Sequence, residues 1–161
     1  LDKIKEDEYY FTADDDIAYP STYCKDMLNK IQEHNCIVTH HGRILLGTNR
    51  DYYRGHKSFS CLAVQNHNTQ IDVAGTGVTA FDTRYFKPVG LAQDENQKMS
   101  DIIFSLRAAE EGKKIMVVNH TATYFTYLKP YSRTTIHHTA RRKGIDVQNR
   151  LANKIYQILR N

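Results

Sequence analysis

Apolar positions fall in short runs along the chain, and two periods alternate. Tyr9 to Thr12 reads as a short buried strand. After Pro20, Ser21 is placed to cap a helix running to about His34, whose Cys24, Met27, Leu28 and Ile31 recur at the helical period. Cys36 to Thr39 is the next strand, and Arg43 to Leu46 another after the turn at Gly42. From Gly47 to Gln70 the chain is polar, with Tyr52, Tyr53, Phe59 and Cys61 interspersed; this predicts a long loop, part of it covering a substrate. Ile71 to Ala74 and Gly77 to Phe81 are strand-like. Met99 to Glu111 predicts a helix with Met99, Ile102, Ile103 and Leu106 on one face and Gly112 as its stop. Ile115 to Val118 is apolar throughout and predicts a central strand. A last helix is predicted from Asp146 to Leu159, with Val147, Leu151, Ile155 and Leu159 on one face. Strands alternating with helices give an α/β fold.

Composition narrows the setting. The 161 residues suffice for one domain, and 40% hydrophobic with 25% charged residues allows a sizeable core. The cysteines, Cys24, Cys36 and Cys61, show no ligand-like pairing and read as free thiols in a reducing, cytoplasmic compartment. No run approaches a membrane span. The net charge of +4 is modest, and the one basic run, Arg141-Arg142-Lys143, reads as a solvated face before it reads as a contact with an anionic membrane surface. Nucleic acid is not an expected partner, because no RNA-binding pattern occurs and an acidic run would repel a phosphate backbone.

That acidic run changes the picture. Asp14-Asp15-Asp16 follows the aromatic strand directly. Three adjacent carboxylates repel one another and gain nothing from a core. They suit a hard cation such as Mg²⁺ or Mn²⁺, which takes oxygen ligands and often combines one or two carboxylates with substrate phosphates. The alternative is an acidic surface turn. Gly75-Thr76-Gly77 interrupts a strand-like stretch, as at a bulge, a close ligand approach or a plain hairpin turn. Asp101 stands at a helix start, where an acid also interacts favourably with the helix dipole. His40-His41-Gly42-Arg43 follows a strand, and Arg43 has the planar donors to hold a phosphate or an acidic sugar. His120 leaves the apolar strand after Asn119, where a hydrogen-bonding role competes with a ligand role. His137-His138 lacks an acidic or cysteine partner nearby.

Thr12-Ala13-Asp14-Asp15-Asp16-Ile17-Ala18-Tyr19-Pro20 resembles the T-D-D-D-I-I-Y-P stretch of bacterial capsule N-acetylglucosaminyltransferases of the heparosan type, nucleotide-sugar glycosyltransferases of GT-A fold. The likeness continues through Cys36-Ile37-Val38, His41-Gly42, Gly75-Thr76-Gly77, Asp101 and Phe104-Ser105, covering roughly residues 5 to 120. It implies a GT-A-like (Rossmann-like) mixed sheet flanked by helices, with the first strands of the nucleotide pocket preceding Leu1. It implies Asp14 and Asp16 as the D-x-D pair, with Asp15 as rival metal ligand or nucleotide contact. The resemblance also implies Gly75, Thr76 and Gly77 beneath the sugar, Asp101 as the acceptor-facing acid, and His120 as a further metal ligand.

These readings divide the chain into residues 1–130, the C-terminal portion of a GT-A domain, and residues 131–161, a basic linker with a C-terminal helix. The expected activity is metal-dependent transfer of a sugar, GlcNAc by the resemblance, from a UDP-sugar to a capsule or lipopolysaccharide glycan at the cytoplasmic face of the inner membrane. Retention and inversion both stay open. Alternatives are a metal-dependent nucleotidyltransferase and an inactive or truncated sugar-binding domain.

Overall fold

The computed structural model describes residues 5, 7–48, 52–91, 99–128 and 145–161. The expected basic run at residues 141–143 and His137-His138 lie outside these.

Five strands form the main sheet, in the order β1 (Tyr9–Phe11), β8 (Thr79–Asp82), β3 (Ile37–Thr39), β9 (Ile115–Val117) and β6 (Thr69–Ile71). β3 and β9 are parallel and the other pairs antiparallel, so β1, β3 and β9 run the same way and β8 and β6 oppose them. The apolar run at Ile115 does lie inside the sheet, flanked on both sides. The aromatic strand β1 is an edge, and only half-buried.

Alternation along the strands sends side chains to two faces. Ile37, Phe81, Ile115 and Val117 pack on one face with Phe104 and Ala108 of α2 (Ser100–Glu110). Val38, Ala80 and Val118 pack on the other with Met27 and Ile31 of α1 (Tyr23–His34). The result is a mixed α/β fold, with several sheets flanked by helices. The helical period of α1 is as predicted but rotated: Tyr23, Met27 and Ile31 are buried and Cys24 is exposed, because Tyr23 inserts among Tyr19, Phe11 and Phe125. Thr22, not Ser21, is the N-cap residue, and its hydroxyl donates to Asp26 instead of capping.

The stretch read as a long polar loop contains one whole strand and the start of β6. β5 (His56–Phe59) pairs with β4 (Gly42–Leu45), and β7 (Val73–Ala74) completes a three-stranded sheet in the order β5-β4-β7. Lys57 and Ser58 are exposed on this edge strand, so its pattern does not stand out from a loop. Tyr52 is 2% exposed, and its N–H donates to Asn149 Oδ1 at 2.6 Å. Within this segment β5 and Tyr52 are therefore packed, while residues 60–68 run in turns, with Gln65 bridged to His120.

The predicted strand from Ile71 to Ala74 is split at Asp72 between β6 of one sheet and β7 of the other. Asp72 is buried, accepts from Leu45 N–H at 2.8 Å, and is paired with Arg160 at 2.9 Å. Arg160 ends α3 (Ile145–Arg160), whose Ala152 and Ile155 pack with Leu45, Val73 and Ala109. The remaining pair, β2 (Ile17–Ala18) with β10 (Thr126–Tyr127), is a short antiparallel ladder beside the acidic run. Among the described residues no helix is long and apolar enough to cross a membrane.

Candidate functional site

Because β1, β3 and β9 share a direction, their carboxyl ends open on one edge of the main sheet. β8 begins at that same edge, so the turn before it, a 3₁₀ turn at Thr76–Val78, arrives there too. Ligand sites of open α/β sheets collect at such edges. Here the edge holds a cavity of about 250 Å³. Asp14 enters from the end of β1, His41 from the end of β3, Gly75-Thr76-Gly77 from the turn before β8, and Ser100-Asp101 from the start of α2. Ile17, Cys61, Val78 and Tyr127 make its less polar wall.

The turn is held from below. Thr79 Oγ1 donates to Gly75 O at 2.8 Å, and Thr39 Oγ1 donates to His41 O at 2.9 Å. Both threonines are fully buried. A Cβ on Gly75 would stand 2.6 Å from Cδ2 of His41, and one on Gly77 would stand 1.9 Å from Oδ2 of Asp14. Neither glycine has positive φ, so both are needed for close approach and not for an unusual turn.

Thr76 fixes Asp101. Its N–H and its hydroxyl both donate to Asp101 Oδ1, at 2.9 and 2.6 Å. One carboxylate oxygen is thus anchored on the glycine turn. Ser105 Oγ donates to Asp101 O at 2.7 Å and accepts from Ala74 N–H at 2.9 Å, tying the first turn of α2 to β7.

The electrostatics are those of crowded acids. Partial loss of water raises Asp14 above the ordinary carboxylate value, and repulsion from Asp16, Asp101 and Asp15 raises it further. Asp14 remains exposed over much of its surface, so this environment concerns the carboxylate facing the turn. Burial lowers His41, and Arg43 lowers it again, against an opposing pull from Asp101. Burial and Arg43 thus both favour the neutral form of His41.

Several predicted residues lie elsewhere. Asp15 and Asp16 occupy the turn between β1 and β2, close enough to repel Asp14 but outside the cavity lining. β1 ends at Phe11, so strand alternation does not put Asp14 and Asp16 on one side. Arg43 lies on β4, where its guanidinium sits 5.0 Å over the Tyr52 ring and donates to the Tyr52 hydroxyl. His120 is 8% exposed in an aromatic cluster, with Nδ1 2.9 Å from Val118 O and its ring 5.0 Å from that of His40. Neither Arg43 nor His120 lines the cavity.

Three contributors had no assigned role in the sequence. Cys61 and Tyr127 come from distant segments and carry no motif. Tyr19 stands in the quoted Tyr-Pro pair, and its hydroxyl both accepts from Asp14 N–H at 2.7 Å and donates to Gly77 O at 2.5 Å.

Among the described residues no group of three or more His, Cys, Asp or Glu side chains could hold a metal ion by itself. Asp14 and Asp101 supply hard oxygens to one cavity and repel each other. That donor set fits a cation held by one or two carboxylates and completed by a substrate and water, not an all-protein cage. No protein-family model matches the chain, and no curated protein matches its sequence.

Proposed function

We propose that this protein is a metal-dependent glycosyltransferase of GT-A type, moving a sugar from a UDP-sugar to a glycan hydroxyl. One observation carries the reading. Asp14, Gly75-Thr76-Gly77 and Asp101 are far apart in sequence and were singled out for separate chemical reasons, yet they meet in one cavity. Their meeting supports one shared role over three separate ones as a surface acidic turn, a plain hairpin and a helix-start charge.

Asp14, with Asp16 or Asp15 beside it, is the group to hold Mn²⁺ or Mg²⁺, and a cation there would neutralise charge developing on the leaving diphosphate. The glycine turn lets a sugar approach the backbone. Asp101, oriented through Oδ1, has Oδ2 for the acceptor hydroxyl. In an inverting reaction it takes the proton from that hydroxyl; in a retaining one it positions the acceptor. The donor is UDP-N-acetylglucosamine by the family resemblance, and the acceptor a capsule or lipopolysaccharide glycan met at the cytoplasmic side of the inner membrane. Arg43 and His120 are given no part, since both are engaged away from the cavity.

Calorimetry of the full-length protein with UDP and Mn²⁺ tests this. The wild-type chain should bind UDP only with the metal, and Asp14→Ala and Asp16→Ala should each weaken it. Absence of UDP binding with Mn²⁺ would overturn the reading. Preference for the triphosphate would favour nucleotidyl transfer instead.

A further inference from the structure

Asp14 is an awkward residue to keep in place. Asp15, Asp16 and Asp101 all repel it, and β1 has already ended three residues earlier. Left to itself, a carboxylate on such a turn would swing into water. It is instead found against the Cα of Gly77, within the space a single methyl group would fill. Something must hold the backbone of Asp14 toward the turn.

Tyr19 is placed to do so. Its hydroxyl bridges the Asp14 N–H and the Gly77 carbonyl, one bond accepted and one donated. Both contacts are backbone contacts, so the link fixes the spacing of the two chain segments whatever their side chains do. The ring itself is immobilised, packed 4.9 Å from Tyr23 and 5.6 Å, edge-on, from Phe125. Tyr23 and Phe125 belong to the core on the α1 face of the sheet. Tyr19 thus transmits the rigidity of that core to the most strongly repelled carboxylate. Burial raises the Tyr19 hydroxyl, so it keeps the proton it donates. The ring does not line the cavity and acts only through Asp14.

We propose that Tyr19 is a positioning residue: its hydroxyl clamps the Asp14 peptide to the glycine turn and holds the Asp14 carboxylate on Gly77, facing the cavity. The functional consequence, tighter binding of a cation with a nucleoside diphosphate, rests on the glycosyltransferase reading. The clamp itself does not.

Two variants of the full chain test it. Tyr19→Phe removes the hydroxyl and keeps the packed ring. Gly77→Ala keeps the hydroxyl and evicts the carboxylate, since the three atoms nearest the new methyl are all those of the Asp14 carboxyl group. Two measurements are made. Amide hydrogen exchange at Asp14, followed by NMR without ligand, should accelerate about tenfold or more in Tyr19→Phe. Affinity for UDP with Mn²⁺, by calorimetry, should fall about tenfold in both variants, a size that one neutral hydrogen bond can reach in Tyr19→Phe. Unchanged exchange at Asp14 in Tyr19→Phe overturns the clamp. Faster exchange with unchanged UDP affinity in both variants overturns its role in binding. If Tyr19→Phe melts early, Gly77→Ala decides: wild-type affinity there also overturns the proposal. A wild-type chain that binds no UDP defeats the functional reading, and the exchange result still decides the clamp.

Discussion

His40 and His41 are consecutive residues at the end of β3, and they lead into opposite environments. His41 faces the acidic cavity with Asp14 and Asp101. His40 is 2% exposed and sits among Tyr23, His120, Tyr124 and Phe125, its ring stacked 5.0 Å from Tyr124. The cavity gathers like charges that repel one another. The aromatic cluster has expelled charge: burial lowers His40 to about 3, helped by repulsion from His120 and opposed by Asp26. Polar side chains beyond strand ends can therefore belong either to chemistry or to the core. Sequence position does not separate the two; what surrounds each ring does.

The comparison can be broken by mutation. The largest effect is expected from Asp14→Ala, which should nearly abolish Mn²⁺-dependent UDP binding in calorimetry while the melting temperature stays close to wild type. Relief of repulsion could even stabilise the variant. Retained binding would move the cation away from Asp14.

Next comes Asp101→Asn. UDP affinity should persist, and transfer from UDP-N-acetylglucosamine should fall about 100-fold or more, the range for losing acid–base chemistry. The amide keeps an oxygen for the two Thr76 donors, so folding is spared. Transfer within a few-fold of wild type would return Asp101 to a helix-start charge.

The aromatic cluster should answer to pH instead. Below its unfolded value near 6.5, the unfolded His40 takes up a proton that the folded residue refuses until about pH 3. His40 thus contributes stability that is complete above pH 6.5 and shrinks as the pH falls, by about 1.4 kcal/mol per pH unit. Urea unfolding of wild type and His40→Phe at pH 7, 6 and 5 should show the wild type losing ground to the variant at each step. Parallel pH dependence would mean that His40 is not buried neutral.

The smallest effect is expected from His120→Phe. If the cluster is only packing, UDP affinity with Mn²⁺ should stay within about twofold, as for sites that do not couple. A loss like that of Asp14→Ala would join the two regions and make His120 a ligand after all.

Much of this arrangement was legible in the chain. The helical period around Met27 and Ile31, the apolar run at Ile115 and the stop at Gly112 (φ 65) gave elements that the structure reproduces. Aspartates after a strand, a G-T-G and an acid at a helix start each marked a corner of the cavity. Other features were hidden for physical reasons. β5 is an exposed edge with a polar pattern, so it read as loop. Asp72 broke one apolar run into two strands that serve different sheets, and its pairing with Arg160 and the Leu45 N–H together reveal why a charge is tolerated there. Tyr19 was visible as a letter of the motif, but hydroxyl contacts to two backbone segments have no periodicity to read.

Asp72 also stitches the two sheets together. The residues before it hydrogen-bond into the main sheet and those after it into the three-stranded sheet, so a single peptide is the seam between them. Its carboxylate is gripped by Leu45 N–H and Arg160, leaving the seam no slack. Gly75 follows three residues later, delivered to the cavity from the second sheet, while Asp14 comes from the first. The seam thus sets where Gly75 leaves the second sheet, and the turn then carries the chain back into β8 beside β1, so that one short stretch of chain ties both sheets to the rim of the cavity.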